Sequence, residues 1–152
     1  MTRRRPGVLS HCPVSYALDL FGDPWTLLVI RDIALFGKRT YREFEHSGEG
    51  IATNVLADRL ERLEAARIVT RRRDPDDRRR TIYLLTERGI DLLPVLVAMI
   101  EWSARHDAHT LATPEKLAEL LTGRAAVVDR LRAELERGAA PRRRGRKGSR
   151  PD

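Results

Sequence analysis

The sequence predicts a mainly α, α+β fold: a winged helix-turn-helix domain with flanking helices that serve dimerisation. Three observations within residues 40–89 carry the prediction. Thr40-Tyr41-Arg42-Glu43 is a helix-start signal, Leu56, Leu60 and Leu63 form a helical stripe, and two β-rich runs enclose Asp74-Pro75-Asp76-Asp77.

Taken in order, Pro13 suits a first helical position, where its missing amide would have no partner anyway. Val14, Leu18 and Phe21 mark an inward face before Gly22 stops that helix. Asp23-Pro24 caps a second helix, whose run Trp25-Thr26-Leu27-Leu28-Val29-Ile30 is apolar almost all round, as a central buried helix requires, and which ends at Phe36-Gly37. Thr40 and Glu43 compose a capping box, each side chain satisfying an orphan amide of the other, so a short third helix begins near Tyr41 with Tyr41 and Phe44 turned inward.

Ser47-Gly48-Glu49-Gly50 is a glycine-rich turn of helix-turn-helix length. In the next helix Leu56, Leu60 and Leu63 fall at i, i+4 and i+7, which leaves Asn54, Asp58 and Glu61 pointing away from the core. Ile68 to Arg73 and Arg80 to Leu85 then read as a β-hairpin around a proline–aspartate turn. Beyond it, Thr86-Glu87 starts a long helix containing Leu93, Leu96, Val97, Ile100 and Trp102. Thr113-Pro114-Glu115 starts another with Leu117, Leu121, Val128, Leu131 and Leu135. These two amphipathic helices exceed what a winged helix needs for its own core, so a dimer interface is expected to use their spare faces; the alternative is that they pack on each other.

At 152 residues the chain has room for one real core. The divisions are a basic leader at 1–11, the winged domain with its dimer helix at 12–106, a C-terminal helix at 107–137, and a disordered basic tail at 138–152. A net charge of +7 suggests a polyanionic partner, but residues 138–152 contribute +5 and residues 1–12 contribute +3, leaving −1 for residues 13–137. The DNA argument therefore rests on the wing and the second helix of the motif. Arg144-Gly145-Arg146-Lys147 lacks the proline that follows the arginine-glycine-arginine core of minor-groove hooks, which favours a nonspecific phosphate-binding arm. No apolar run approaches a membrane span and no signal-peptide core follows Arg3 to Arg5, so a cytoplasmic protein is expected, with no membrane partner.

Arg71, Arg72, Arg73, Arg78, Arg79 and Arg80 suit phosphate oxygens, although Asp74, Asp76 and Asp77 could pair with them instead. Thr53, Asn54 and Asp58 are the candidates for base contact, and Arg59, at the border of the stripe, for a phosphate or an internal partner. Cys12, the single cysteine, excludes an internal disulfide. It is either a small apolar residue buried at a helix junction or a thiolate favoured by the helix start, His11 and Arg3 to Arg5.

Enzyme chemistry finds little footing, and no cofactor or metal is expected. Gly37-Lys38-Arg39-Thr40 echoes the end of a phosphate-binding loop, but Asp32 stands where its first glycine belongs. His106 and His109 have no third ligand near them in sequence, and Cys12 has no catalytic partner in clear view.

Cys12-Pro13-Val14, Gly22, Trp25-Thr26-Leu27-Leu28, Gly50-Ile51, Leu56, Arg59-Leu60, Leu63-Glu64, Tyr83, Leu85-Thr86-Glu87 and Gly89, in this order and spacing, resemble the HxlR family of bacterial winged-helix transcription regulators over about residues 12–106. The resemblance implies a homodimer that binds an operator of two half-sites through its winged helices and dimerises through flanking helices. Some members sense electrophiles, quinones, aldehydes or oxidants through a cysteine at the position matched by Cys12. The chain departs from the family pattern at Asp23-Pro24, where glycine-lysine is usual, at Thr40, where arginine is frequent, and at Ala52, where a serine commonly caps the recognition helix. The expected function is that of a homodimeric, sequence-specific repressor acting on a double-stranded operator and answering to a small-molecule, electrophile or redox signal. A MarR-type ligand-responsive regulator, suggested by Asp74 to Arg79, and a nonspecific basic nucleoid-associated protein are the alternatives.

Overall fold

The computed structural model describes residues 11–111 and 113–139. The arginines of the leader and of residues 140–152 lie outside them, as do the side chains of Leu117 and Leu121. The elements run α1 (Pro13–Phe21), α2 (Thr26–Phe36), α3 (Tyr41–Glu45), α4 (Thr53–Ala65), β1 (Val69–Arg73), β2 (Thr81–Leu85), α5 (Glu87–Ile90), α6 (Leu93–His106) and α7 (Pro114–Ala139).

α2 is the buried centre, with Val29, Ile30 and Ile33 at most 4% exposed. Its start is held by Asp23, whose Oδ1 accepts the amides of Trp25 at 2.9 Å and Thr26 at 3.0 Å. Its end turns through Gly37 at φ 65°, a left-handed conformation that glycine adopts without a Cβ clash. Asp32, almost fully buried, is neutralised by Arg31 at 2.7 Å and Lys38 at 3.1 Å. Around α2 pack Phe44 of α3, the Leu56–Leu60–Leu63 stripe of α4, Ile68 and Val69 of β1, and Leu93 and Leu96 of α6.

The hairpin pairs antiparallel, with Val69 opposite Leu85 and Arg73 opposite Thr81. A backbone bond from Tyr83 to the carbonyl of Arg39 at 2.7 Å stitches β2 to the loop before α3. α4 ends in a Schellman motif: Ile68 N donates to Leu63 O and Arg67 N to Glu64 O, both at 2.9 Å, with Arg67 in the left-handed region at φ 57°. Thr86 caps α5 by accepting the amide of Gly89, while its hydroxyl donates to the carbonyl of Arg67 at 2.6 Å. Gly89 is required here, because a Cβ would stand 2.2 Å from the Ile68 carbonyl oxygen.

Two expectations need correction. The helix expected to run on from Thr86 is two helices: α5 ends at Ile90, and Pro94, which has no amide to donate to the carbonyl four residues back, sits in the first turn of α6, where no such bond is needed. α1 does not turn Val14 and Leu18 inward: they are 65% and 56% exposed, and the buried residue of that helix is Ser15. On α7, Val127, Val128 and Leu131 pack against Val97 and Ile100, and Leu135 against the main core. Among the described residues α6 also leaves apolar surface uncovered, with Val95, Met99 and Trp102 on one exposed face at i, i+4 and i+7.

Candidate nucleic-acid interface

The interface is built around α4. Ala52 stands at its N-cap and offers no side-chain bond, and Thr53 is already the first helical residue, so the cap serine replaced by Ala52 has no side-chain substitute. α4 is held from outside instead. Tyr41 of α3 donates its hydroxyl to the carbonyl of Thr53 at 2.7 Å, and Arg31 of α2 reaches Glu49 in the preceding turn at 2.8 Å. These contacts, with the capping box observed at Thr40 and Glu43, set how α3 presents α4. Burial pushes the Glu43 carboxyl upward, but the amides of Arg39 and Thr40, the Thr40 hydroxyl and the charge of Arg80 outweigh it and hold the group below its ordinary value.

Thr53, Asn54 and Asp58 are exposed while Leu56 and Leu63 are closed off completely, so the outward face expected from the periodicity is present. Asp58 lies 3.4 Å from Arg59 Nη2 and 3.9 Å from Arg62 Nε, which tempers its negative charge. Arg59 does not stand on this face. Its Nη1 pairs with Asp23 Oδ2 at 3.2 Å, its side chain is 18% exposed, and the pair ties the middle of α4 to the α1–α2 junction. The physical reason is desolvation: a guanidinium this far inside needs a carboxylate, and Asp23 supplies one.

All six wing arginines are exposed. Arg71 leans back to Glu64 at 3.4 Å. Two of the turn carboxylates shape the loop: Asp74 Oδ1 accepts the amide of Asp76 at 2.9 Å and Asp77 Oδ1 that of Arg79 at 3.0 Å. These aspartates therefore rigidify the wing, and the tip presents Arg78, Arg79 and Arg80 outward.

Cys12 is exposed at the N-cap of α1, with its carbonyl accepting the amide of Tyr16 at 3.1 Å, which corrects the picture of a thiol buried at a helix junction. His106 stacks on Trp102 at 4.9 Å between ring centres, and no group of three potential metal ligands converges among the described residues. No described helix is long and apolar enough to cross a membrane.

A short helix presenting a second one, with polar residues outward and an arginine wing beside it, defines the class: a transcriptional regulator with a winged helix-turn-helix DNA-binding domain. The comparisons agree, and within that class the chain belongs to the HxlR-like helix-turn-helix family, whose model matches residues 20–110. It is 35% identical over 88 residues to an uncharacterized HTH-type transcriptional regulator of Synechocystis, a match that covers 58% of this chain and 64% of that one. The HTH-type transcriptional regulator YodB of Bacillus subtilis is 33% identical over 93 residues, 60% of this chain and 82% of YodB. The structure of reduced YodB superimposes with a TM-score of 0.53 at 30% identity, covering 66% of this chain and 99% of YodB. The redox regulator HypR in its oxidized form does so with a TM-score of 0.56 at 31% identity, covering 62% of this chain and 97% of HypR. The matched relatives are described as transcriptional regulators, not as enzymes.

Proposed function

We propose that the chain is a homodimeric, sequence-specific repressor of the cytoplasm that binds a double-stranded operator and releases it on an electrophile, redox or other small-molecule signal. The observation that carries this reading is the division of α4 into a buried leucine stripe and an exposed face of Thr53, Asn54 and Asp58 beside the arginine wing. An amide at Asn54 suits adenine, a carboxylate at Asp58 suits the amine of cytosine, and the wing arginines suit phosphates. To Arg59, paired with Asp23, this reading gives the role of positioning α4 rather than contacting a phosphate.

Dimerisation is supported by the uncovered apolar faces of α1 and α6, which a monomer would leave in water. Sensing is supported by the exposure of Cys12 at the N-cap of α1, where a reagent in solution can reach the thiol. YodB has been solved in diamide-treated and quinone-bound forms, and HypR in reduced and oxidized forms. With one cysteine per chain, oxidation here leads to a mixed disulfide, an oxyacid or a bond between subunits.

The deciding measurement is affinity for a duplex selected from a random library against affinity for bulk DNA at moderate salt. A specific regulator prefers the selected duplex by about a thousandfold or more. Equal affinities favour a nonspecific nucleoid-type protein.

A further inference from the structure

α7 begins after residue 110, the last that the family match covers, so nothing in the matched domain accounts for it. Its backbone leaves helical values at Gly123, with φ −140° and ψ 33°, and the part that follows is anchored in three ways. Val128, Leu131 and Leu135 pack against the core that α2 and the leucine stripe of α4 share. Arg132 Nη2 reaches Asp91 Oδ1 at 2.6 Å and its Nη1 reaches Glu87 Oε2 at 3.6 Å, which ties the helix to α5 directly after the wing. In its last turn the carbonyl of Gly138 accepts a hydrogen bond from Arg39 Nη1 at 3.2 Å, a contact between residues 99 apart in sequence.

Arg39 is where the elements facing DNA meet. Its amide donates to Glu43 Oε2 at 2.9 Å, within the capping box that starts α3, and its carbonyl accepts the amide of Tyr83 in β2 at 2.7 Å. α3 in turn holds α4 through Tyr41 and the carbonyl of Thr53. The backbone of Arg39 therefore joins the helix-turn-helix to the wing, and its guanidinium joins that pair to a helix seated on the core. Arg39 is half-buried, unlike the six wing arginines. A Cβ on Gly138 would lie 2.5 Å from Arg39 Nη2, so the bare backbone lets the guanidinium close over the helix end.

We propose that α7 braces the DNA-reading elements and that Arg39 is a positioning residue for DNA binding, its bond to Gly138 fixing the separation of wing and α4 that a duplex requires. The proposal rests on the DNA reading above and gives Arg39 no phosphate. Wing and recognition helix must meet the duplex together. A protein in which their separation varies binds only from the fraction of molecules that match, and its apparent affinity falls by that fraction.

The test uses the full chain carrying Gly138→Val and Arg39→Met, singly and together, on a duplex selected for the unaltered protein. Gly138→Val changes no charge, and its side chain takes the place of the guanidinium. Each single variant is expected to lose about three- to tenfold in affinity, the range of one hydrogen bond. The double variant is expected to lose no more than about twofold beyond either, because removing one partner already removes the bond. All three are expected to keep the salt dependence of the unaltered protein, since no phosphate contact is lost. Without DNA, the Tyr83 amide is expected to exchange its hydrogen faster in the variants.

A salt slope lower by about 0.9 in Arg39→Met makes Arg39 a phosphate contact and overturns the brace. Losses that multiply in the double variant do the same, as does a folded Gly138→Val that binds like the unaltered protein. If Gly138→Val does not fold, the slope and the Tyr83 exchange of Arg39→Met decide alone. Unchanged Tyr83 exchange overturns the brace and leaves the DNA reading intact, whereas an unaltered chain that binds no selected duplex overturns the DNA reading and the proposal with it.

Discussion

Removing Asp23 tests the most specific local inference, that Arg59 is an internal residue rather than a phosphate contact. Asp23 does two things: its Oδ1 caps α2 through the amides of Trp25 and Thr26, and its Oδ2 receives Arg59 at 3.2 Å. Losing a cap costs about 1 kcal/mol. Stripping the partner from a buried charge costs about 3–5 kcal/mol, but both side chains keep about a fifth of their exposure, so about 2 kcal/mol is the better figure. Asp23→Ala is therefore expected to lose about 3 kcal/mol, whereas Asp23→Asn keeps an acceptor for the cap and loses about 1–2 kcal/mol. With Arg59→Met as the second arm of a double-mutant cycle, the coupling should be about 1–2 kcal/mol. Urea unfolding at fixed protein concentration measures all four species. Acid adds a check. Burial pushes the Asp23 carboxyl upward, but the Thr26 hydroxyl, the two amides and the Arg59 charge outweigh it and hold it below its ordinary value of 3.8. The stabilisation is thus fully present above that value and lost as pH falls through the lowered one, so Asp23→Asn should blunt the acid limb of the stability curve. An Asp23→Asn variant as stable as the unaltered protein, with the loss confined to Asp23→Ala, would refute the charge argument. So would an Arg59→Met variant that keeps its stability while its DNA salt slope drops by about one.

Asn54→Ala should cost about 1–3 kcal/mol on a selected duplex and much less on random DNA, with competition binding as the measurement. Replacing Arg73 and Arg79 by glutamine should weaken all duplexes alike and flatten the salt dependence by about 0.9 for each lost phosphate contact; an unchanged slope removes the wing from the interface. Trp102→Glu places a charge in the exposed stripe of α6 and should raise the dimer dissociation constant at least about tenfold in sedimentation analysis, an interface tryptophan commonly contributing about 2 kcal/mol or more. Diamide or a quinone should release DNA from the unaltered protein and not from Cys12→Ser; equal behaviour of the two assigns the signal elsewhere.

What was legible in the sequence is what short segments decide for themselves. The capping box at Thr40 and Glu43, the leucine stripe of α4 and the left-handed stop at Gly37 all appear where the pattern puts them, since each depends on neighbours within a turn or two. The wing strands pair as their β-rich runs suggest, and their aspartates act within the turn they shape. The break between α5 and α6 also had a local signal in Pro94, outweighed in the periodicity by the apolar residues on both sides. The contacts that position the interface were not legible, because they join distant segments. Tyr41 meets Thr53, Arg31 meets Glu49, and Arg59 meets Asp23 across 36 residues.

The misread face of α1 has a different cause. An amphipathic pattern states that a stripe avoids water, not whether the cover comes from the same chain. Val14 and Leu18 satisfy the pattern for an inward face, yet α1 buries Ser15 and leaves both exposed, as α6 leaves Met99 and Trp102. Placing those stripes outside the core has a consequence for signalling. Cys12 begins the helix that carries one stripe, and Asp23, just beyond its end, holds Arg59 in the middle of α4. If a change at the α1 surface is to reach α4, the Asp23–Arg59 ion pair just beyond Gly22 is the contact that joins the α1–α2 junction to the middle of α4. Asp23→Asn offers a way to weaken that link while keeping the cap, and in this protein it should uncouple DNA release from modification of Cys12 before it abolishes DNA binding itself.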